Sequence, residues 1–283
     1  MKEQMQFKTR IQYLVPQRWL SKCLGAIANC RMPFIKNAFI RFFIWCYNVD
    51  LTLAQREQVN DYHSFNDFFT RRLKASKRPI EKDSHFILSP IDGTLSEFGP
   101  IFDGQLIQAK GLIYKLDQLL GGNEFINDFN QGFSFTLYLS PKDYHRVHMP
   151  LDGRLLKMIG IPGTLFSVNQ TTSEEIPNLY TKNERVVCVF ETSVGKMAVI
   201  FVGAMIVSGI HTVWAGRVNR GLTEKKEWDY NRETLNFSQG EEIGHFELGS
   251  TVILLFAPNT VQSNNLDKKS TICYGEKLAD VVS

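Results

Sequence analysis

The sequence predicts a mainly β protein of the α+β class, with an antiparallel β-sheet or barrel-like body behind an N-terminal amphipathic helical segment. Three observations support this fold class. From about residue 85 the chain consists of short apolar and alternating runs, turn sequences such as IDGT, LDGR and IPGT separate these runs, and strands do not alternate with long helices. A doubly wound α/β fold requires that alternation, so the sequence favours antiparallel strands.

The N-terminal segment combines positive charge with large apolar side chains. Residues 1–50 contain eight Lys or Arg and two acidic residues, a net charge of +6, whereas the whole chain carries only +3. Such a basic arm suits nucleic acid or an anionic membrane surface, and its apolar content favours the membrane and argues against nucleic acid. The segment has neither an uninterrupted apolar stretch of membrane-spanning length nor the pattern of a secretory signal.

The stretch FIKNAFIRFFIWCY, residues 34–47, predicts an amphipathic helix. Ile35, Phe39, Phe42 and Cys46 recur at helical spacing, and Phe43 widens the stripe. Such a helix either lies in a lipid interface or caps the core of the domain. Because only the first alternative explains the scarcity of acidic residues, we predict a membrane-docking segment at residues 1–60 and a β-rich domain at residues 61–283.

The clearest strand candidate is GFSFTLYLS, residues 132–140. Phe133, Phe135, Leu137 and Leu139 fall on one face of an extended chain, and polar residues or Tyr138 fall on the other. Three further Val- and Ile-rich runs predict buried strands, namely RVVCVFET, KMAVIFVGAMIVSGI and STVILLF.

Composition limits the class of protein. With 43% hydrophobic and 22% charged residues over 283 residues, the chain is of ordinary globular composition. Its five cysteines are widely spaced and form no CxxC pair. This pattern indicates a reducing compartment and argues against a disulfide framework or a structural zinc site.

The densest group of candidate functional residues is YLSPKDYHRVHMP, residues 138–150. His145 and His148 lie three positions apart there, so they face the same way only in a turn or helical element. The structural alternative is a pair of polar residues at the end of a strand. A second candidate, Asp92, precedes Gly93, and Asp-Gly is also a common turn signal.

Asp92, the two histidines and Ser250 together could form a base-activated nucleophile, in which a carboxylate orients an imidazole that takes the hydroxyl proton. The chain lacks the GxSxG sequence of an α/β-hydrolase nucleophile. Gly249 precedes Ser250 and offers an unhindered carbonyl. This arrangement suits attack by the hydroxyl on the chain's own preceding peptide bond.

The sequence resembles the bacterial phosphatidylserine decarboxylase family. The resemblance is carried by YLVPQRWLSK, SFNDFFTRRLK, SPIDGTLSEFG, QAKGLIYKLDQLL, LSPKDYHRVHMPLDG, IPGTLFSVN, IPNLYTKNERV, HTVWAGRV and LGSTVILLFAP, in this order along nearly the whole chain.

The resemblance implies a carboxy-lyase that is made as a proenzyme and cuts itself between Gly249 and Ser250. Asp92, His148 and Ser250 match the residues used for that cut, which leaves a β chain of residues 1–249 and an α chain of residues 250–283. Ser250 would become a covalent pyruvoyl group, which takes the place of pyridoxal phosphate and requires no metal. The serine amine of the lipid would form a Schiff base on that group, and the amide carbonyl beside it would absorb the electrons that CO₂ leaves behind. His145 matches a histidine that assists decarboxylation and protonation.

The resemblance also implies the partners and location. The substrate would be phosphatidylserine in an anionic membrane, and the product phosphatidylethanolamine. The protein would sit peripherally on the cytoplasmic side of the cell membrane, with its β and α chains together, and the family suggests a homodimer.

Two alternatives from other classes remain open at this stage. In a zinc-dependent hydrolase, Asp92, His145 and His148 would be metal ligands and Ser250 would only begin a strand. In a non-catalytic membrane-docking β domain, none of these residues would act. Both leave the long series of motifs unexplained.

Overall fold

A computed structural model of the protein describes residues 9, 12–13, 24–80, 82–205, 209–219, 221–247, 250–263 and 266–282. Gly249, the residue on the amino side of the expected cut, lies outside these residues.

Helices are few and mostly short. Residues 24–28 are helical, and six further helices follow: α1 Pro33–Tyr47, α2 Phe65–Phe69, α3 Leu116–Leu120, α4 Ile126–Phe129, α5 Gln170–Glu175 and α6 Leu179–Lys182. Single 3₁₀ turns occupy Leu51–Leu53, Val59–Asp61 and Ala75–Lys77. The longest helix, α1, begins at a proline, which needs no hydrogen bond at that position, and ends at Asn48 in the left-handed conformation with φ 52°.

Strands make up the body of the molecule. They are β1 Phe86–Leu88, β2 Gly93–Pro100, β3 Gln105–Ala109, β4 Leu112–Lys115, β5 Phe133–Leu139, β6 Arg146–His148, β7 Gly153–Ile161, β8 Arg185–Thr192, β9 Gly195–Gly203, β10 Gly209–Thr212, β11 Gly216–Arg217, β12 Lys226–Asp229, β13 Asn236–Phe237, β14 Glu242–Glu247, β15 Ser250–Phe256, β16 Val261–Gln262, β17 Thr271–Ile272 and β18 Lys277–Val281.

Nine of these strands form one antiparallel sheet in the order β12-β7-β8-β9-β15-β5-β2-β17, with β13 paired to β7. Smaller antiparallel sheets have the orders β11-β10-β14-β6, β1-β18-β16 and β3-β4. The predicted mainly β, antiparallel architecture is confirmed. Within the described residues the large sheet ends in different strands on its two sides, so it is open and not a closed barrel.

Strand β15 lies at the centre of the large sheet, between β9 and β5. Its side chains alternate between two hydrophobic clusters: Val252 and Leu254 enter one, and Ile253 and Leu255 enter the other. Both faces of the strand are therefore buried, which explains why the sequence is a continuous apolar run instead of an alternating one. The first residue of this strand, Ser250, is held by the core behind it.

Helix α1 has two apolar faces. Ile40 and Phe43 point inward and pack in a cluster with Phe65 and Phe69 of α2. The predicted stripe is divided: Phe43 is buried, whereas Phe42 is 59% exposed. The helix thus caps a core with one face and leaves the other in solvent, and the division of the chain at residue 60 stays a prediction.

The outward face of α1 also carries Phe34 and Trp45, which are 87% and 78% exposed. Among the residues that the structure describes, no helix is long and apolar enough to cross a membrane.

Candidate active site

Ser250 begins the central strand β15 and is fully buried. Its backbone is in register with Leu139 of β5 on one side and Gly203 of β9 on the other. Within the described part of the chain, its hydroxyl has no hydrogen-bond partner. The paired backbone therefore holds a buried hydroxyl that is free of hydrogen bonds among the described residues.

Three neighbouring groups contact the imidazole of His148, at the end of β6. Its Nδ1 lies 2.9 Å from the carbonyl oxygen of Gly240, and its Nε2 lies 3.1 Å from the hydroxyl of Tyr144. Because a carbonyl only accepts, Nδ1 carries the proton and Nε2 accepts from Tyr144. The ring of Tyr274 stacks on the imidazole, with centroids 4.0 Å apart and planes 8° from parallel.

Burial lowers the pKa of His148, although the negative charges of Glu242 and Asp92 oppose this effect. The ring is therefore neutral at physiological pH, which is the form that a general base needs.

Asp92 precedes β2 and is bound by two groups. Nε and Nη2 of Arg78 donate to its carboxylate at 3.0 and 2.5 Å, and the backbone N–H of Tyr274 donates at 2.9 Å. The glycine that follows has a packing role, since a Cβ at Gly93 would lie 2.2 Å from the backbone oxygen of Tyr138. The Asp-Gly pair thus brings β2 close to β5 and directs the carboxylate to Arg78.

His145 lies in the turn between β5 and β6, fully buried beneath the ring of Phe69, whose centroid is 4.0 Å away. Its Nδ1 is 2.8 Å from the carbonyl oxygen of Asp143 and therefore donates, so Nε2 carries a lone pair. Among the described residues this Nε2 has no partner. Burial lowers the pKa of His145 to about 3, and the nearby charge of Arg71 acts in the same direction.

The four predicted residues form two groups. Asp92 and His148 share Tyr274, which binds the carboxylate through its N–H and stacks on the imidazole through its ring. His145 is linked to the strand before Ser250, since its carbonyl accepts from the N–H of Phe246 in β14. In the described part of the chain, no hydrogen bond joins His148 to Asp92 or to Ser250, and the roles assigned to these residues stay predictions.

A metal centre has little support from this arrangement. No group of three or more His, Cys, Asp or Glu side chains among the described residues could hold a metal ion. The alternative zinc site requires Asp92, His145 and His148 to converge, but the carboxylate of Asp92 is bound by Arg78 and both nitrogens of His148 have hydrogen-bond partners, which leaves only Nε2 of His145 unpaired among the described residues.

Sequence reasoning missed three side chains of this site. Arg78 stands in the stretch before β1, Tyr144 stands between the two candidate histidines, and Tyr274 comes near the end of the chain. The position of Tyr144 in the densest polar motif is a signal that could have identified it. No local pattern marks Tyr274, because its contact with Asp92 spans 182 residues.

Comparison with known proteins identifies the family. The family model described as phosphatidylserine decarboxylase matches residues 65–280, and a model described as PSD matches residues 7–48. A phosphatidylserine decarboxylase proenzyme of Pseudomonas fluorescens is 50% identical over 272 residues, which are 94% of this chain and 94% of the relative. Proenzymes of the same name are 48% identical in Pseudomonas aeruginosa, over 97% of this chain and 98% of the relative, and in Coxiella burnetii, over 96% and 98%. On these matches, which extend across both the helical segment and the β body, the chain belongs to the phosphatidylserine decarboxylase family.

Proposed function

We propose that this protein is a self-processing decarboxylase that converts phosphatidylserine into phosphatidylethanolamine and CO₂. Its curated relatives are named proenzymes, a term for chains that are processed before they act. Processing would divide the chain between Gly249 and Ser250 into a β chain of residues 1–249 and an α chain of residues 250–283.

The observation that carries this proposal is the environment of the Ser250 hydroxyl. It is fully buried, and it has no hydrogen-bond partner in the part of the chain that the structure describes. An unpaired buried hydroxyl costs about 1–3 kcal/mol. If Ser250 served only for packing, alanine would be the more stable choice at this position. Thr251 shares this feature, so it is the place of Ser250 directly after Gly249 that selects its hydroxyl as the attacking group.

Self-cleavage would begin at this hydroxyl. Neutral His148 takes the proton from Oγ at its Nε2, and the oxygen attacks the carbonyl carbon of Gly249. The carbon–nitrogen bond between residues 249 and 250 breaks as the ester forms, and the proton passes to the released amine. Because Tyr144 occupies His148 Nε2, its hydroxyl must first move aside or relay the proton.

Asp92 would support this transfer from a distance. Its negative charge favours the protonated form of His148, which exists only while the proton is in transit. The contact between the two residues is made through Tyr274, so Asp92 also fixes the ring that stacks on the imidazole.

β-Elimination would then release residues 1–249 with a terminal carboxylate and leave dehydroalanine at residue 250. The imine tautomer of this residue would take up water and lose ammonia, which gives the pyruvoyl group. The surroundings fit this group, because β9 and β5 pair with β15 on both sides and would keep the new terminus in place after the cut. When present, the pyruvoyl group would supply a ketone that binds the substrate amine, and the amide carbonyl beside it would accept the electron pair left by CO₂.

His145 would handle the proton of the decarboxylation reaction. Its neutral ring presents an unpaired lone pair at Nε2. This atom can take a proton from the substrate ammonium, which must become an amine before it attacks a carbonyl. It can return the proton to Cα after CO₂ has left.

The exposed face of α1 would bring the protein to its lipid. Phe34, Phe42 and Trp45 are exposed there, together with Arg41. Aromatic side chains beside a cation suit an anionic lipid interface. On this basis we infer peripheral docking on the cytoplasmic side of the membrane through residues 1–60, with residues 61–283 as the catalytic domain.

The intact mass of the purified protein tests this proposal. We expect two chains divided after residue 249, together with conversion of phosphatidylserine into phosphatidylethanolamine in detergent micelles. The Ser250→Ala variant should remain a single inactive chain, because it lacks the attacking oxygen.

Thr251→Val is the matched control. Thr251 is as buried as Ser250, its hydroxyl is also unpaired among the described residues, and valine keeps its shape. This variant should still be cleaved. An active chain that stays intact, or cleavage of Ser250→Ala, would contradict the proposal.

A further inference from the structure

Arg71 is a buried cation without an ion-pair partner among the described residues. Its side chain is 4% exposed, and Nη2 donates to the carbonyl oxygens of Lys142 at 2.8 Å and Asp143 at 3.4 Å. Nε and Nη1 have no partner in the described part of the chain. An uncompensated buried charge is costly, and burial lowers the pKa of this guanidinium.

The acidic side chains in its field are already engaged elsewhere. The carboxylate of Asp143 accepts from the backbone N–H of Ser140 at 2.7 Å, and that of Asp92 is bound by Arg78. Both charges favour the ionised form of Arg71 without pairing with it. An anion that arrives from outside would therefore find unoccupied N–H groups.

The guanidinium lies beside His145. The Nη2 of Arg71 and the Nδ1 of His145 point at the same carbonyl oxygen, that of Asp143, and the positive charge of Arg71 contributes to the lowered pKa of His145. The side chains that carry the unpaired Nε2 of His145 and the unpaired Nε and Nη1 of Arg71 thus meet at the carbonyl of Asp143.

The other side of Arg71 leads to the helical cluster. The guanidinium carbon lies 5.4 Å from the ring centroid of Phe68 in α2, and Phe68 packs in the same cluster as Phe43 of α1. The outer face of α1 carries the exposed aromatic residues. Arg71 and His145 therefore both border the cluster that carries the proposed lipid-facing helix, so a phosphate on Arg71 would lie close to both the helix and the histidine.

Phosphatidylserine offers two anionic groups, a carboxylate and a phosphodiester. A guanidinium on the carboxylate would stabilise a charge that disappears as CO₂ leaves, so it would favour bound substrate over the transition state. The phosphodiester keeps its charge throughout, so a guanidinium there tightens binding without slowing the chemical step. Arginine is also well suited to phosphate oxygens.

We propose that Arg71 binds the phosphodiester of the lipid substrate and so fixes the serine amine next to His145 and residue 250. This inference rests on the proposed function, and it names a substrate-binding residue for it. The contact exists before and during decarboxylation, so its loss raises KM and leaves kcat nearly unchanged.

The test uses Arg71→Gln and Arg71→Lys in the processed enzyme, assayed with phosphatidylserine in detergent micelles. We expect both variants to be cleaved, and KM to rise on the order of 10–100-fold in Arg71→Gln and less in Arg71→Lys, which keeps the charge. Arg72→Gln is the matched control. Arg72 is the next residue in the chain, but its side chain is 62% exposed and pairs with Glu242 at 3.4 Å. The KM of this variant should stay within about twofold, as for an exposed ion pair.

Two soluble inhibitors separate the anions. Glycerophosphoethanolamine carries the phosphodiester alone, and glycerophosphoserine carries the carboxylate as well. If Arg71 binds the phosphodiester, Arg71→Gln weakens inhibition by both compounds equally. If only inhibition by glycerophosphoserine weakens, the anion is the carboxylate and the proposal is wrong.

Two other outcomes would also overturn the proposal that Arg71 binds the phosphodiester. One is a fall in kcat with unchanged KM, and the other is failure of both Arg71 variants to be cleaved, because a residue that binds the substrate phosphate acts only after the substrate arrives. Assay of the wild-type enzyme under the same conditions tests the proposed function separately from the role of Arg71. Absence of phosphatidylethanolamine from wild type contradicts the proposed function, whereas an active wild type with unaltered variants contradicts only the role of Arg71.

Discussion

His148 and His145 lie three residues apart, but their surroundings differ. Both nitrogens of His148 are hydrogen-bonded, and the carboxylate of Asp92 nearby is bound by Arg78 and a backbone N–H. Around His145, by contrast, Nε2 is unpaired, and so are two nitrogens of Arg71 among the described residues. Among the described residues, the polar atoms of His148 and Asp92 have hydrogen-bond partners, whereas several polar atoms of His145 and Arg71 have none.

This difference matches two tasks with different requirements. In the proposed mechanism, self-cleavage takes place once, before any substrate binds, so the groups that support it must be positioned by the chain alone. Decarboxylation involves a lipid that brings its own ammonium, phosphate and carboxylate. Unpaired buried groups carry a desolvation cost that such a ligand relieves. In the proposed mechanism Ser250 belongs to both tasks, as attacking group and as the origin of the pyruvoyl group.

The sharpest test of this division is His148→Ala. The variant lacks the proposed base, and general base catalysis contributes about 10²–10⁴-fold to a rate. We therefore expect the chain to remain uncut over the time in which wild type is processed completely, as measured on denaturing gels.

His145→Ala provides the matched control for this prediction, because it removes a buried histidine from the same turn. It should be cleaved at the wild-type rate and then decarboxylate about 10²–10⁴-fold more slowly. If His148→Ala matures normally, or if His145→Ala stays uncut, the division between the two groups is wrong.

The pH dependence of cleavage is a milder test of the hydrogen-bonded group. Burial lowers the pKa of His148 below its ordinary value of about 6.5, so the neutral base persists as the solution becomes more acidic. The cleavage rate of freshly synthesised chain should therefore stay level from pH 8 to about pH 6.5 and fall only below that value. A rate that is already half-maximal at or above pH 6.5 would show that His148 is not held neutral by burial.

The strands, and the place of Ser250 at the start of β15, could be predicted from the sequence because local patterns mark them. Alternation marks β5, a continuous apolar run marks β15, and Gly249-Ser250 precedes that run. The partners of the polar residues could not be predicted. Gly240 binds His148 across 92 residues of chain, and Tyr274 reaches Asp92 across 182. Such contacts depend on strand order, which no local pattern encodes.

Helix α1 shows a second limit of sequence reasoning. Its apolar residues surround most of the helix, so spacing alone does not separate the inner face from the outer one. Packing against α2 decides this: Phe43 is covered by Phe65 and Phe69, while Phe42 is not covered. Removal of the whole segment would uncover Phe69, which contacts His145, so a test of membrane docking should change only the outer face.

The outer face of α1 resembles the surroundings of His145 in one respect, because its exposed aromatic side chains also have no partner that covers them within the described chain. Trp45→Ala removes an aromatic side chain that is 78% exposed, and burial of such a side chain in lipid contributes about 1.5–3 kcal/mol. We expect sedimentation with phosphatidylserine-containing vesicles to weaken about tenfold or more. Self-cleavage should be unaffected, because Trp45 lies on the exposed face of α1, away from the cluster that α1 forms with α2.

Phe102→Ala is the matched control for this smallest effect. Phe102 is also 78% exposed, but it lies on the β body between β2 and β3. Its loss should leave vesicle binding unchanged if attraction depends on α1 and not on exposed aromatic area in general. Equal weakening by both substitutions would mean that the lipid contacts the β body as well, and unchanged binding of Trp45→Ala would remove α1 from the docking surface. In the second case the lipid would have to reach Arg71 and His145 by a route other than the outer face of α1.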